Sequence, residues 1–89
     1  MRSGENWVLQ VDSSVLATLK KIPRRDAERI FITLEYLPLN PFAGDIQKMK
    51  GERNTWRRRI GSFRIFYELM PSEKVIHVFK VERRASKTY

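Results

Sequence analysis

Arginines spaced two apart are the first feature of this chain that could do chemistry. Asn54–Ile60 predicts a strand, and residues two apart on a strand share a face, so Arg57 and Arg59 point together. Gly61-Ser62 predicts a tight hairpin turn, which puts Arg64 on the neighbouring strand beside Arg59. Two or three guanidinium groups then converge. Each presents a planar fork of donors matched to phosphate oxygens and stays charged at any ordinary pH. Toward the C-terminus Arg83, Arg84, Lys87 and Tyr89 add cations and a phenol that could hydrogen-bond or stack on a base. Lys50 and Arg53 supply further contacts to a phosphate backbone. Arg58 points away, with Trp56 and Ile60, and adds only general attraction. The set suits holding a phosphate and stabilising charge that develops on it. The plainer alternative is a charged edge strand that resists aggregation, with Tyr89 no more than a chain end.

The placement of charge favours the functional reading. The net charge is +8. Residues 1–47 carry six basic and six acidic residues, whereas residues 48–89 carry twelve basic and four acidic ones. Solubility needs charge but not a one-sided field, and a segregated excess of this kind points to an anionic partner such as a nucleic-acid backbone. The same composition excludes several classes. With no cysteine and one histidine, His77, neither a zinc–thiolate site nor a multi-histidine metal site is expected. No cofactor motif is present. No apolar run reaches the ~20 residues of a membrane span, and the N-terminal residues lack a signal-peptide core. The expectation is a cytoplasmic protein of one domain, residues 1–89.

The elements that must position these side chains follow from periodicity. Trp7, Leu9 and Val11 alternate, predicting a strand over 6–11. Asp12, Ser13 and Ser14 offer helix caps. Val15, Leu16, Leu19 and Ile22 predict a helix over 14–21, stopped by Pro23. Ala27, Ile30, Leu34 and Leu37 predict a second helix over 24–37. The segment 42–51 is weakly patterned, a loop with a short strand near 46–49 at most. Strands are predicted at 54–60, 63–70 and 74–81, the second turn falling at Pro71-Ser72. The apolar run Val75, Ile76, Val78, Phe79, Val81 suggests a central strand covered on both faces. The sum is an α+β domain of order β-α-α-β-β-β: a helical hairpin packed on one face of a mainly antiparallel four-stranded sheet. His77, Trp7 and Trp56 are expected to be structural, and Met49-Lys50-Gly51 a strand end.

A helical hairpin, then Lys50-Gly51, then Trp56 through Glu68 (WRRRIGSFRIFYE), then Lys80-Val81-Glu82-Arg83-Arg84 and a terminal Tyr89: this pattern resembles the RelE/ParE toxin superfamily, and within it the RelE branch of toxin–antitoxin systems. The resemblance runs from the Pro23 region to the end. It implies a metal-independent endoribonuclease that cuts messenger RNA in the ribosomal A site, where a 2′-hydroxyl attacks the adjacent phosphate to give a 2′,3′-cyclic phosphate. It implies a cognate antitoxin as partner, and a role such as plasmid stabilisation. By position, Arg57 and Arg59 match the family's paired basic residues and Arg64 its phosphate-stabilising arginine. Arg83, or Arg84 one residue on, matches the tail arginine, and Tyr89 the tail tyrosine. Some members carry lysine at the paired positions. Arginine there does not readily accept a proton at neutral pH, which leaves Tyr89 as the candidate base, or catalysis by positioning and charge alone. Two other readings stand beside this one: a ParE-like inhibitor of DNA gyrase, and a non-catalytic nucleic-acid-binding module.

Overall fold

A computed structural model describes residues 6–83. The order is β1 (Val8–Val11), α1 (Ser13–Leu19), α2 (Arg24–Tyr36), β2 (Ile46–Lys48), β3 (Thr55–Ile60), β4 (Phe63–Met70) and β5 (Val75–Arg83). The strands form one sheet in the order β1-β5-β4-β3-β2. β1 runs parallel to β5, and every other pair is antiparallel. The α+β class and the helical hairpin are those expected. The sheet has five strands where four were expected, because β2 pairs fully with β3, Ile46 facing Arg58 and Lys48 facing Trp56. Three residues with one apolar member carry almost no pattern of their own, so this strand owes its existence to ladder hydrogen bonds.

Both helices cover the same face of the sheet. Val15 and Leu19 of α1, Ile30 and Leu34 of α2, and Leu37 pack against Phe63, Ile65, Tyr67 and Leu69 of β4 and Ile76, Val78 and Val81 of β5. Fully burying one such side chain stabilises the fold by about 1.5–3 kcal/mol. Trp7, Phe42 and Trp56 extend this core toward the sheet's edge through two edge-on ring contacts, with centroids 6.5 and 5.7 Å apart. Asp12 occupies the cap position of α1, yet its carboxylate accepts the Ser14 hydroxyl at 2.7 Å and caps no backbone N–H.

Tyr67 is the one core residue with a polar tip. Its hydroxyl donates to the Pro41 carbonyl at 2.7 Å, tying the loop after α2 to the middle of the sheet. Burial pushes the phenol up to about 12, and the charge of Arg58 offsets only part of that rise.

β4 and β3 are joined through Gly61, whose φ of +60° stands alone in the left-handed region at this turn. That is the type II′ pattern, whose twist suits a two-residue hairpin. The second hairpin is less regular. Across β4 and β5, Phe66 faces Lys80 but Tyr67 faces Val78, so Phe79 has no partner and β5 carries a one-residue bulge. The bulge shifts the alternation by one. Before it Ile76 and Val78 are buried, and after it Val81 is. This explains the near-continuous apolar run. β5 is interior, as expected, but it is covered on one face only; on the other, His77 and Phe79 are half-buried and Lys80 is exposed.

Candidate nucleic-acid interface

The face of the sheet away from the helices collects the even residues of β4 and the odd residues of β3. Three rows of side chains cross it. In the first, Arg59 faces Arg64 and Arg64 faces Glu82. In the second, Gln47 faces Arg57, Arg57 faces Phe66 and Phe66 faces Lys80. In the third, Thr55 faces Glu68 and Glu68 faces His77. Arg57, Arg59 and Arg64 thus line one pocket of about 120 Å³, closed at its edge by Asp45 and Gln47.

Each arginine has a different partner. Arg64 is held most firmly: Nε and Nη2 both lie 3.0 Å from Glu82 Oε2. Glu82 also receives Lys80 Nζ at 3.3 Å on its other oxygen. Desolvation works against the Glu82 charge, but hydrogen bonds and attraction from Lys80 and Arg64 outweigh it and hold the carboxyl below its usual range. Arg59 Nη1 lies 3.6 Å from Asp45 Oδ2, both side chains well exposed. Arg57 donates through Nη2 to the Gln47 amide oxygen. Among the described residues it has no carboxylate partner, so it is the cation most available to an incoming anion.

The remaining candidates are scattered. Lys50 shares a groove with Arg57 and Gln47 beside the pocket, and Arg53 sits in the β2–β3 turn next to Glu52 and Asn54. Arg58 lies on the helix side, as alternation predicts: Nη1 donates to the Ala43 carbonyl at 3.2 Å, while the buried Nε has no partner. Gly44, at φ +88°, makes room for it, since a Cβ there would lie 2.5 Å from the guanidinium carbon. Arg83 is on the helix side too, opposite Phe63, with its guanidinium 5.2 Å from that ring. The bulge is the cause, because it reverses the faces of Glu82 and Arg83. The structure therefore does not bring Arg83 to Arg57, Arg59 and Arg64. Arg84, Lys87 and Tyr89 lie outside the described residues.

Asp45, Gln47, Lys80 and Glu82 belong to this surface but are not singled out by the sequence. The first two arrive only through the pairing of β2 with β3. The phase slip between Val78 and Val81 was the available signal for the last two. His77, expected inside an apolar strand, sits on the open face, with Nδ1 3.4 Å from Glu68 Oε1.

The family model for the ParE toxin of type II toxin–antitoxin systems matches residues 9–87. The chain belongs to the RelE/ParE superfamily and is a toxin of a type II toxin–antitoxin system. A Methanocaldococcus jannaschii protein that carries the toxin name RelE1 is 30% identical over 79 residues, covering 85% of this chain and 88% of the relative. The fold is shared with the archaeal RelE–RelB complex of Pyrococcus horikoshii (TM-score 0.82, 22% identity, 92% of this chain and 99% of that one). It is shared also with the RelB–RelE antitoxin–toxin complex of Methanococcus jannaschii (TM-score 0.70, 27% identity, 83% and 88%).

Proposed function

We propose that this toxin is an endoribonuclease that cleaves messenger RNA, acting in the ribosomal A site. The observation that carries the reading is the convergence of Arg57, Arg59 and Arg64 on one pocket of the open face. In the proposed step the 2′-oxygen attacks phosphorus, the bond to the 5′-oxygen breaks, and a 2′,3′-cyclic phosphate and a 5′-hydroxyl result. The proton leaves the 2′-oxygen for a base and a proton returns to the departing 5′-oxygen. Arginines do not exchange protons at neutral pH. Their part is to hold the phosphate and stabilise its growing charge, a contribution on the order of 10²–10³ in rate for one donor. Tyr89 is the proposed base and Arg84 the proposed further cation; Arg83, the other candidate, faces the helix side over Phe63. Lys50, Arg53, Arg58 and Lys87 would add attraction along the RNA.

The proposed partner is a cognate antitoxin. Phe31, Ile32, Tyr36 and Leu39 leave an exposed apolar strip along α2 and the turn beyond it, and the RelE chains it resembles were solved with RelB. The match to the ParE toxin model keeps a second reading beside this one: a ParE-like toxin that inhibits DNA gyrase. Pulse-labelling after induction of the toxin alone separates the two. Early loss of amino-acid incorporation supports the ribonuclease, and early selective loss of thymidine incorporation overturns it. Single-turnover cleavage of a programmed ribosome complex then tests the chemistry directly.

A further inference from the structure

Next to the arginine pocket the open face changes character. The bulge puts two consecutive side chains, Phe79 and Lys80, on the same side of β5. Phe79 lies 6.4 Å from the Phe66 ring, centroid to centroid, and Lys80 Nζ sits 5.2 Å above Phe66. These residues floor a depression of about 390 Å³ whose opposite wall holds Thr55 and the carboxylates of Glu52 and Glu68. Phe66 is also the cross-strand partner of Arg57, so the depression begins one strand spacing, about 4.8 Å, from the least encumbered phosphate-binding cation.

We infer that this depression is a nucleobase site, taking the base attached to the phosphate that Arg57 holds, and that it favours bases with an exocyclic amine over uracil. The inference rests on the RNA-cleaving reading above and deepens it. The chemistry selects a base and not a second phosphate: two carboxylates repel a phosphate, and the one cation of the floor, Lys80, is already paired with Glu82 at 3.3 Å. A base has a π-face to stack on Phe79, and stacking is indifferent to base identity. Identity comes from the wall. Glu68 meets His77 through one oxygen only, and as a lining residue of the depression it is left with acceptor capacity for a base. Adenine, cytosine and guanine each present an amine to it. Uracil presents carbonyl oxygens on both sides of its single N–H, and these repel a carboxylate. A bulge serves this purpose well. It is a way to re-aim a side chain beside a site, here by setting Lys80 next to Phe79 on a face that regular alternation would have denied it.

The test uses non-cleavable 2′-O-methyl RNA hexamers of A, C or U, with binding followed by fluorescence polarisation and by backbone amide shifts of the unmutated protein. A6 and C6 are expected to bind more tightly than U6 and to shift Thr55, Glu68 and Phe79, whereas inorganic phosphate shifts only the arginine pocket. Phe79→Leu, which keeps apolar bulk but removes the ring face, should weaken A6 and C6 by about tenfold. Glu68→Gln should narrow the gap to U6, and Arg57→Ala should weaken all three alike. Equal binding of the three hexamers, or parent-like binding by Phe79→Leu while Arg57→Ala still weakens it, overturns the base site and leaves the RNA reading standing. No binding, or binding indifferent to Arg57, overturns both.

Discussion

Glu82 stands directly across the β4–β5 ladder from Arg64, and a single carboxylate oxygen takes both of its facing donors at 3.0 Å. The arginine proposed to stabilise the phosphate is therefore already paired with an anion. On the proposed reading, an RNA phosphate entering the pocket would compete with Glu82 for Arg64. Removing that carboxylate should expose the cation. Glu82→Gln is expected to bind single-stranded RNA severalfold more tightly at low salt, with the slope of log K against log salt steeper by about one unit, as one more phosphate contact forms. Titrations at several salt concentrations measure this, and an unchanged slope contradicts it.

Arg64→Ala should slow single-turnover cleavage by about 10²–10³. His77→Gln should leave the rate intact, since His77 faces Glu68 and not the arginine pocket. Rapid-quench cleavage of a programmed ribosome complex, on variants first checked by thermal melting, decides between them.

Arg58 and Gly44 should behave as a coupled pair. Arg58→Ala loses the bond to Ala43 and is expected to cost about 0.5–1.5 kcal/mol of stability with little effect on cleavage. Gly44→Ala adds a methyl 2.5 Å from the Arg58 guanidinium carbon at a φ of +88°, so it destabilises the parent. In the Arg58→Ala background the clash is gone and only the backbone strain remains. The double mutant should therefore be more stable than additivity of the two single effects predicts. Urea unfolding of the four proteins measures the coupling, and strict additivity refutes it.

Alkaline pH tests the buried phenol. The folded-state value of Tyr67, about 12, lies above its ordinary value of 10.0. Its contribution is thus fully present below pH 10 and is lost as pH rises through 12. The parent should lose stability across that window more steeply than Tyr67→Phe. At pH 8 the variant should be the weaker by about 1–3 kcal/mol, because the Pro41 carbonyl loses its donor. Denaturant unfolding at pH 8, 10 and 11.5 reads both effects, and parallel pH profiles count against the assignment.

The two helices and four of the strands were legible from local pattern: Ile30 and Leu34 repeat at helical spacing, and β4 alternates through Phe63, Ile65, Tyr67 and Leu69. The shared face of Arg57, Arg59 and Arg64 followed from the same alternation and a recognisable turn. What stayed hidden depends on pairing between distant segments. β2 has no pattern without β3. The bulge at Phe79 exists only relative to β4, and extrapolating regular alternation past it misassigns Glu82 and Arg83 together. Asp45 and Gln47 reach the pocket through a ladder that no local rule announces.

The parallel pairing of β1 with β5 has a consequence in time. Val8 pairs with Val75, so an early segment of the chain waits for the last-made of these strands, which must slot between β1 and β4. Contacts this distant in sequence form late and slowly. At about 5–20 residues per second of synthesis, the emerging chain exposes helices and a partial sheet for seconds before Glu82 reaches Arg64. Each nascent molecule of this toxin is thus unfinished while its own message is being read, and the arginine face takes its final form only after the ribosome has made nearly all of the segment described here.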